Sequence, residues 1–143
     1  MIQRIQTIYL FIVFLLSSVL GWFISWFHFD KVNYNLLALI NSQNLYQIII
    51  AVSFVIIGIL ALVSLLVFKK RSTQIMLNRI NIIVNFLLFG LLMVVLSKLP
   101  GEIVVSMKGV GVWIPWISIV FLLLANTAIK KDDNLVKSVD RLR

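Results

Sequence analysis

The single histidine, His28, stands two residues before Asp30, and with Glu102 it makes the one donor set from which a metal site or an acid–base pair could be assembled. These three residues share no ligand spacing, so no metal and no cofactor is expected. There is no cysteine, which removes disulfides and thiolate chemistry. No phosphate-cradling glycine loop and no paired nucleophile and base compete for an active site, so the sequence reads as a non-enzyme. What remains is amide chemistry. Asn78, Asn81 and Asn85 recur at spacings of three and four, which on a helix keeps them within about 60° of one another. Amides at neutral pH neither titrate nor attack; they exchange hydrogen bonds. The stripe therefore serves either as interhelical glue or as a polar track toward a ligand or partner.

Composition says in what solvent this stripe must be held. The 143 residues are 62% apolar and 13% charged, with a mean hydropathy of +1.08. An ordinary soluble domain is roughly 45 to 50% apolar and about 25% charged. A single small domain covering 1–143 cannot hide this much apolar surface from water, so hydrocarbon is its expected solvent. Charge-free runs of 25, 37, 18 and 21 residues separate Arg4 from Asp30, Lys31 from Lys69, Arg79 from Lys98, and Lys108 from Lys130. About 20 helical residues cross a hydrocarbon layer of about 30 Å. Polar residues between Asn33 and Gln47 interrupt the second run, leaving Ile48 to Phe68 as its span. The expected architecture is an all-α membrane protein, a four-transmembrane-helix bundle with spans at about 6–27, 47–69, 77–97 and 112–131 and a cytoplasmic tail at 132–143. A secretory signal peptide is the competing reading of the first span; the run's length and its interfacial Trp22, Phe23, Trp26 and Phe27 stand against it.

Orientation follows from the basic residues. With both termini and the 69–79 loop on one side, that side carries Arg4, Lys69, Lys70, Arg71, Arg79, Lys130, Lys131, Lys137, Arg141 and Arg143, against Lys31, Lys98 and Lys108 on the other. This asymmetry predicts cytoplasmic termini in a bacterial inner membrane. Trp22 and Trp26 close the first span while Trp113 and Trp116 open the fourth, so an even number of crossings brings all of them to the outer interface, where amphipathic rings prefer to sit. The net charge of +8 becomes an orientation signal and an attraction to anionic headgroups at the cytoplasmic face. Nucleic acid is not an expected partner, because the aromatics and the basic residues fall on opposite sides of the membrane.

Within this frame, Ser17, Gly21 and Ser25 recur every four residues and permit close helix approach, either within the chain or onto a second copy or another membrane protein. Gly58, Ala61 and Ser64 form a similar set on the second span. Arg79, one to two turns inside a helix capped by Ser72 or Thr73, is expected to snorkel to the headgroups. No Asp or Glu lies inside any span, which argues against a proton relay. Asn126, one turn before Lys130, is at a depth similar to Asn81 and Asn85 and predicts that the third and fourth helices meet there. Pro100-Gly101 followed by Ile103, Val104 and Val105 predicts a small extracytoplasmic β-hairpin within 98–112. Pro115 suits the first turn of the fourth helix. Leu135, Val139 and Leu142, with Asp133 four residues before Lys137, make the tail from Lys130 to Arg143 a continuation of the last helix, amphipathic, that rests on the inner leaflet or docks on a soluble partner.

The opening MIQRIQTIYLF, the central FKKRSTQIMLNRINIIVN and the closing LLLANTAIKKDDNLVKSVDRLR resemble the small four-span inner-membrane proteins of Bacteroidota grouped as domain of unknown function 4293. The likeness covers essentially the whole chain, with Thr127 standing where the family pattern implies a basic residue. It implies a bacterial inner-membrane protein without an assigned activity and supplies no catalytic residues. Matching residues such as Arg4, Arg71, Gln74, Arg79, Asn81, Asn126, Lys130 and Asp132 lie on the side read as cytoplasmic, which places any shared role at the inner face. Two functions are expected: a non-catalytic structural or accessory subunit that binds partner proteins or a second copy, or a small oligomeric channel or transporter lined by the asparagines.

Overall fold

The computed structural model describes residues 5–20, 27–29, 32–34, 45–68, 70–98 and 110–140. Helix α1 (Ile5–Phe14) runs into a π-helical turn at Leu15–Leu20. Strands β1 (Phe27–Phe29) and β2 (Val32–Tyr34) pair antiparallel, with His28 opposite Asn33. Then come α2 (Leu45–Leu66), α3 (Arg71–Lys98), a 3₁₀ turn at Val110–Trp113 and α4 (Ile114–Asp140). Apart from the three-residue strands, the described chain is helical. In hydrocarbon every backbone N–H and C=O must find a partner within the protein, and a helix does this inside one segment.

Three helices, α2, α3 and α4, are long and apolar enough to cross a membrane, and α1 is a shorter apolar helix over its described length. Each helix packs on two others: α1 on α2 and α4, and α3 on α2 and α4. The ring encloses two apolar clusters. Leu10, Val13, Ala61, Leu122 and Ala125 form one, and Ile50, Phe54, Leu88, Leu92 and Ile114 are the centre of the other. The burial pattern is inverted relative to a soluble bundle. Asn78, Asn81 and Ser64 are fully buried, while Ile59, Ile83, Leu87 and Leu123 are each more than half exposed. Among the described residues, an apolar exterior around an interior that also buries amides and a hydroxyl is the arrangement that lipid as solvent stabilises.

Several boundaries differ from the sequence expectation. Helix α3 begins at Arg71 rather than near 77, and the Gln74 N–H donates to the Lys70 carbonyl (3.0 Å), so Ser72 and Thr73 lie inside the first turn and do not cap it. The physical reason is tertiary: Arg71 and Gln74 both bond to other helices, which holds the early turn in place. The end of α4 agrees with the expectation: the helix continues unbroken to Asp140, so the tail from 132 is its extension. The observed strand pair lies between α1 and α2; the hairpin expected around Glu102 to Ser106 lies outside the described residues.

The π turn and α2 meet through small groups. Ser17 Oγ donates to the Val13 and Phe14 carbonyls (2.9 and 3.3 Å) and Ser18 Oγ donates to the Phe14 carbonyl (2.5 Å), which satisfies carbonyls that a π turn leaves outside the regular helical ladder. A Cβ on Gly58 would stand 3.4 Å from Ser17 Oγ and 3.6 Å from Ser18 Cβ. Gly58→Ala is therefore expected to fit with little change, whereas Gly58→Val pushes α1 off α2 and costs about 1–3 kcal/mol in detergent unfolding. Equal stability of the two variants would refute this close approach.

Candidate functional site, a buried polar network

The polar interior is built on one face of α3. Gln74, Asn78, Asn81 and Asn85 follow at steps of four, three and four, and all are buried. Asn78 is the hub: its Oδ1 accepts the Ser64 hydroxyl of α2 at 2.6 Å, and its Nδ2 donates to Asn126 Oδ1 of α4 at 3.0 Å. Three helices are thus joined through one amide. Gln74 Nε2 donates to the Ser64 backbone carbonyl at 3.1 Å, satisfying one of the last carbonyls of α2, which has no regular partner at a helix end. Higher in the bundle, Asn81 Nδ2 donates to the Ile57 carbonyl of α2 at 3.3 Å. Asn85 Nδ2 turns back onto its own helix, donating to the Asn81 carbonyl and to Asn81 Oδ1, both at 2.9 Å.

A second polar junction lies where α3 starts. Arg71 Nη2 stands 3.1 Å from Asp132 Oδ2 and its Nη1 3.6 Å from Asp133 Oδ1, while Nη1 also donates to the Asp132 carbonyl at 3.2 Å. The guanidinium fork suits such a three-point contact, which a lysine could not reproduce. Around it Lys70, Arg79, Lys130 and Lys131 are exposed.

Each residue singled out from the sequence can now be placed. Ser17 is buried against α2, and Arg79 is on the outside of α3; Gly21 and Ser25 lie outside the described residues. The third and fourth helices do meet through asparagine, but Asn78, not Asn81 or Asn85, reaches Asn126. The helices run antiparallel, and the Arg71–Asp132 contact together with the Phe89–Trp116 ring stack (5.5 Å) sets a register in which Asn126 is level with Asn78. Of the imagined metal trio, His28 lies in β1, while Asp30 and Glu102 are outside the described residues. Among the described residues no group of three or more His, Cys, Asp or Glu could hold a metal ion. Three contributors were missed by sequence reasoning. Gln74 lies four residues before Asn78 and so belonged visibly to the stripe; the hydroxyl of Ser64 and the reach of Arg71 needed the register.

This geometry separates two substitutions that spacing alone makes equivalent. Asn126→Leu leaves the Asn78 amide N–H₂ short of an acceptor and is expected to cost about 1–2 kcal/mol, whereas the direct bonds that Asn85→Leu removes lie within α3 and the cost is expected to be smaller. Thermal unfolding in detergent ranks them, and the reverse order would remove the Asn78–Asn126 bond from the description.

What the fold and site define is a helical bundle of membrane-spanning type, whose interior is tied by neutral amides and a hydroxyl and whose edge carries an arginine–aspartate clamp. The chain belongs to the family described as domain of unknown function (DUF4293), whose model matches residues 2–142. No curated protein and no solved structure matches it.

Proposed function

We propose that the chain is a non-catalytic integral protein of a Bacteroidota inner membrane, crossing it four times with both termini in the cytoplasm, and that it acts as a structural or accessory subunit. Its partner-facing surface is the basic end of the bundle. The observation that carries this reading is the charge layout there: Arg71 engages Asp132 and Asp133, leaving Lys70, Arg79, Lys130 and Lys131 exposed as a positive rim. Such a rim attracts anionic headgroups by roughly 1 kcal/mol per nearby basic residue and suits an acidic protein surface docked at the membrane. In this reading Ser17, Asn78, Asn81, Asn85 and Asn126 act within the chain as packing and tethering groups. Their bonds are made inside one bundle, which supports a scaffold over a pore lined by the same amides. The spacing of Gly21 and Ser25 from Ser17 in the sequence suits contact with a second copy or another membrane protein.

Orientation is tested by single-cysteine labelling, which the cysteine-free chain makes direct. A membrane-impermeant maleimide is expected to label Glu102→Cys in intact spheroplasts and Arg143→Cys only after the membrane is opened. Labelling of Arg143→Cys from outside would overturn the topology. Crosslinking followed by mass spectrometry then tests the accessory role: a stoichiometric partner attached through Lys130 or Lys131 is expected, and ion flux from the purified chain in liposomes with no attached partner would replace the subunit by a channel.

A further inference from the structure

Two buried helix hydroxyls, those of Ser64 and Ser118, are not returned to their own backbone. Ser17, Ser18, Ser53, Ser97, Thr127 and Ser138 each donate to a carbonyl three or four residues back. Ser64 is the first exception, spent on Asn78. Ser118 is the second: it is fully buried, and its Oγ has no protein partner. On the adjacent helix α3 Asn85 is 1% exposed, and its Oδ1 also lacks a partner.

The helix register brings these two orphans to one level. Asn85 lies seven residues beyond Asn78 and Ser118 eight residues before Asn126, which is about 10 and about 12 Å from the Asn78–Asn126 bond. Both fall between that bond and the Phe89–Trp116 stack. Both side chains are buried, one offering a hydroxyl donor and the other a carbonyl acceptor. Beyond them the apolar cluster of Ile50, Leu88, Leu92 and Ile114 closes the interior.

We propose that Asn85 and Ser118 form a binding site for one ordered water molecule inside the bundle. The water accepts the Ser118 Oγ–H and donates to Asn85 Oδ1, two of the two to four bonds that a buried water makes. A neutral ligand is what the site recognises, since amide and hydroxyl provide no charge to hold an ion. The water ties α4 to the amide stripe of α3 where no direct side-chain bond does so, one layer above the Asn78 hub.

The test is water-to-protein magnetisation transfer by NMR on the full chain in lipid nanodiscs, with ¹⁵N-labelled asparagine side chains and labelled leucine backbone. Transfer is expected at the Asn85 Nδ2 protons and not at the Leu88 backbone amide, one turn toward the apolar cluster. In Ser118→Ala the Asn85 signal is expected to fall to the Leu88 level while helix content is unchanged. Absence of transfer at Asn85 in the unsubstituted chain overturns the proposal without recourse to a variant. Transfer that persists at full strength in Ser118→Ala overturns it as well, because the water would then owe nothing to the serine.

Discussion

Asn78→Leu is expected to destabilise the bundle more than any other single polar substitution, by about 2–3 kcal/mol. Hydrogen bonds between membrane helices average only about 0.6 kcal/mol each by double-mutant cycles, so the two interhelical bonds of Asn78 account for about half of this. The rest comes from what is left behind. Ser64 Oγ, fully buried and 2.6 Å from Asn78 Oδ1, loses its acceptor, and Asn126 Oδ1 loses its donor. An orphaned buried group costs about 1–3 kcal/mol in a protein interior, and lipid offers no replacement. Unfolding in detergent, read for Asn78→Leu, Ser64→Ala and the double variant, measures this. The double variant should be more stable than the sum of the two single losses predicts, since one change removes the group that the other orphans. Strict additivity would show that the Ser64–Asn78 bond contributes nothing.

The second large effect is expected at Arg71. Charge reversal by Arg71→Glu replaces two attractions by two repulsions and abolishes the hydrogen bond to the Asp132 carbonyl. The side chains are partly wet, 19% exposed for Arg71 and 38 and 31% for Asp132 and Asp133, so solvent screening limits the cost to about 1–2 kcal/mol. Its effect is local. Residues 130–140 of α4 extend past the apolar segment and are held by this clamp, so amide hydrogen exchange there should accelerate while exchange in Ile119 to Ala125 stays slow. Adding salt should reproduce part of the acceleration in the unsubstituted chain. Combining Arg71→Glu with Asp132→Lys and Asp133→Lys is expected to restore protection, and failure to do so would mean that the clamp does not hold the tail.

Much of the architecture was legible because lipid imposes a coarse rule that composition obeys. Charge-free runs located the apolar stretches of α2, α3 and α4, since a charge inside hydrocarbon is costly enough to mark where a helix leaves it. Helix starts were less legible. Spacing and polarity put Arg71 in the loop and Ser72 or Thr73 at the cap, yet all three are helical because Arg71 and Gln74 find partners on α4 and α2. The stripe of Asn78, Asn81 and Asn85 was visible from spacing, which places residues on a helix face whatever lies opposite.

The amino-acid order alone therefore determined that this is a chain of apolar helices with one amide face and one basic end, because both properties are sums or periods along a single helix. Only the tertiary structure decided which amide does what. The antiparallel register of α3 and α4 gave Asn126 to Asn78, left Asn85 Oδ1 and Ser118 Oγ at one level without partners, and carried Asp132 to Arg71 rather than to a neighbour on its own helix. Register is set by packing between helices, where side chains far apart in sequence meet, and no pattern within one helix contains it.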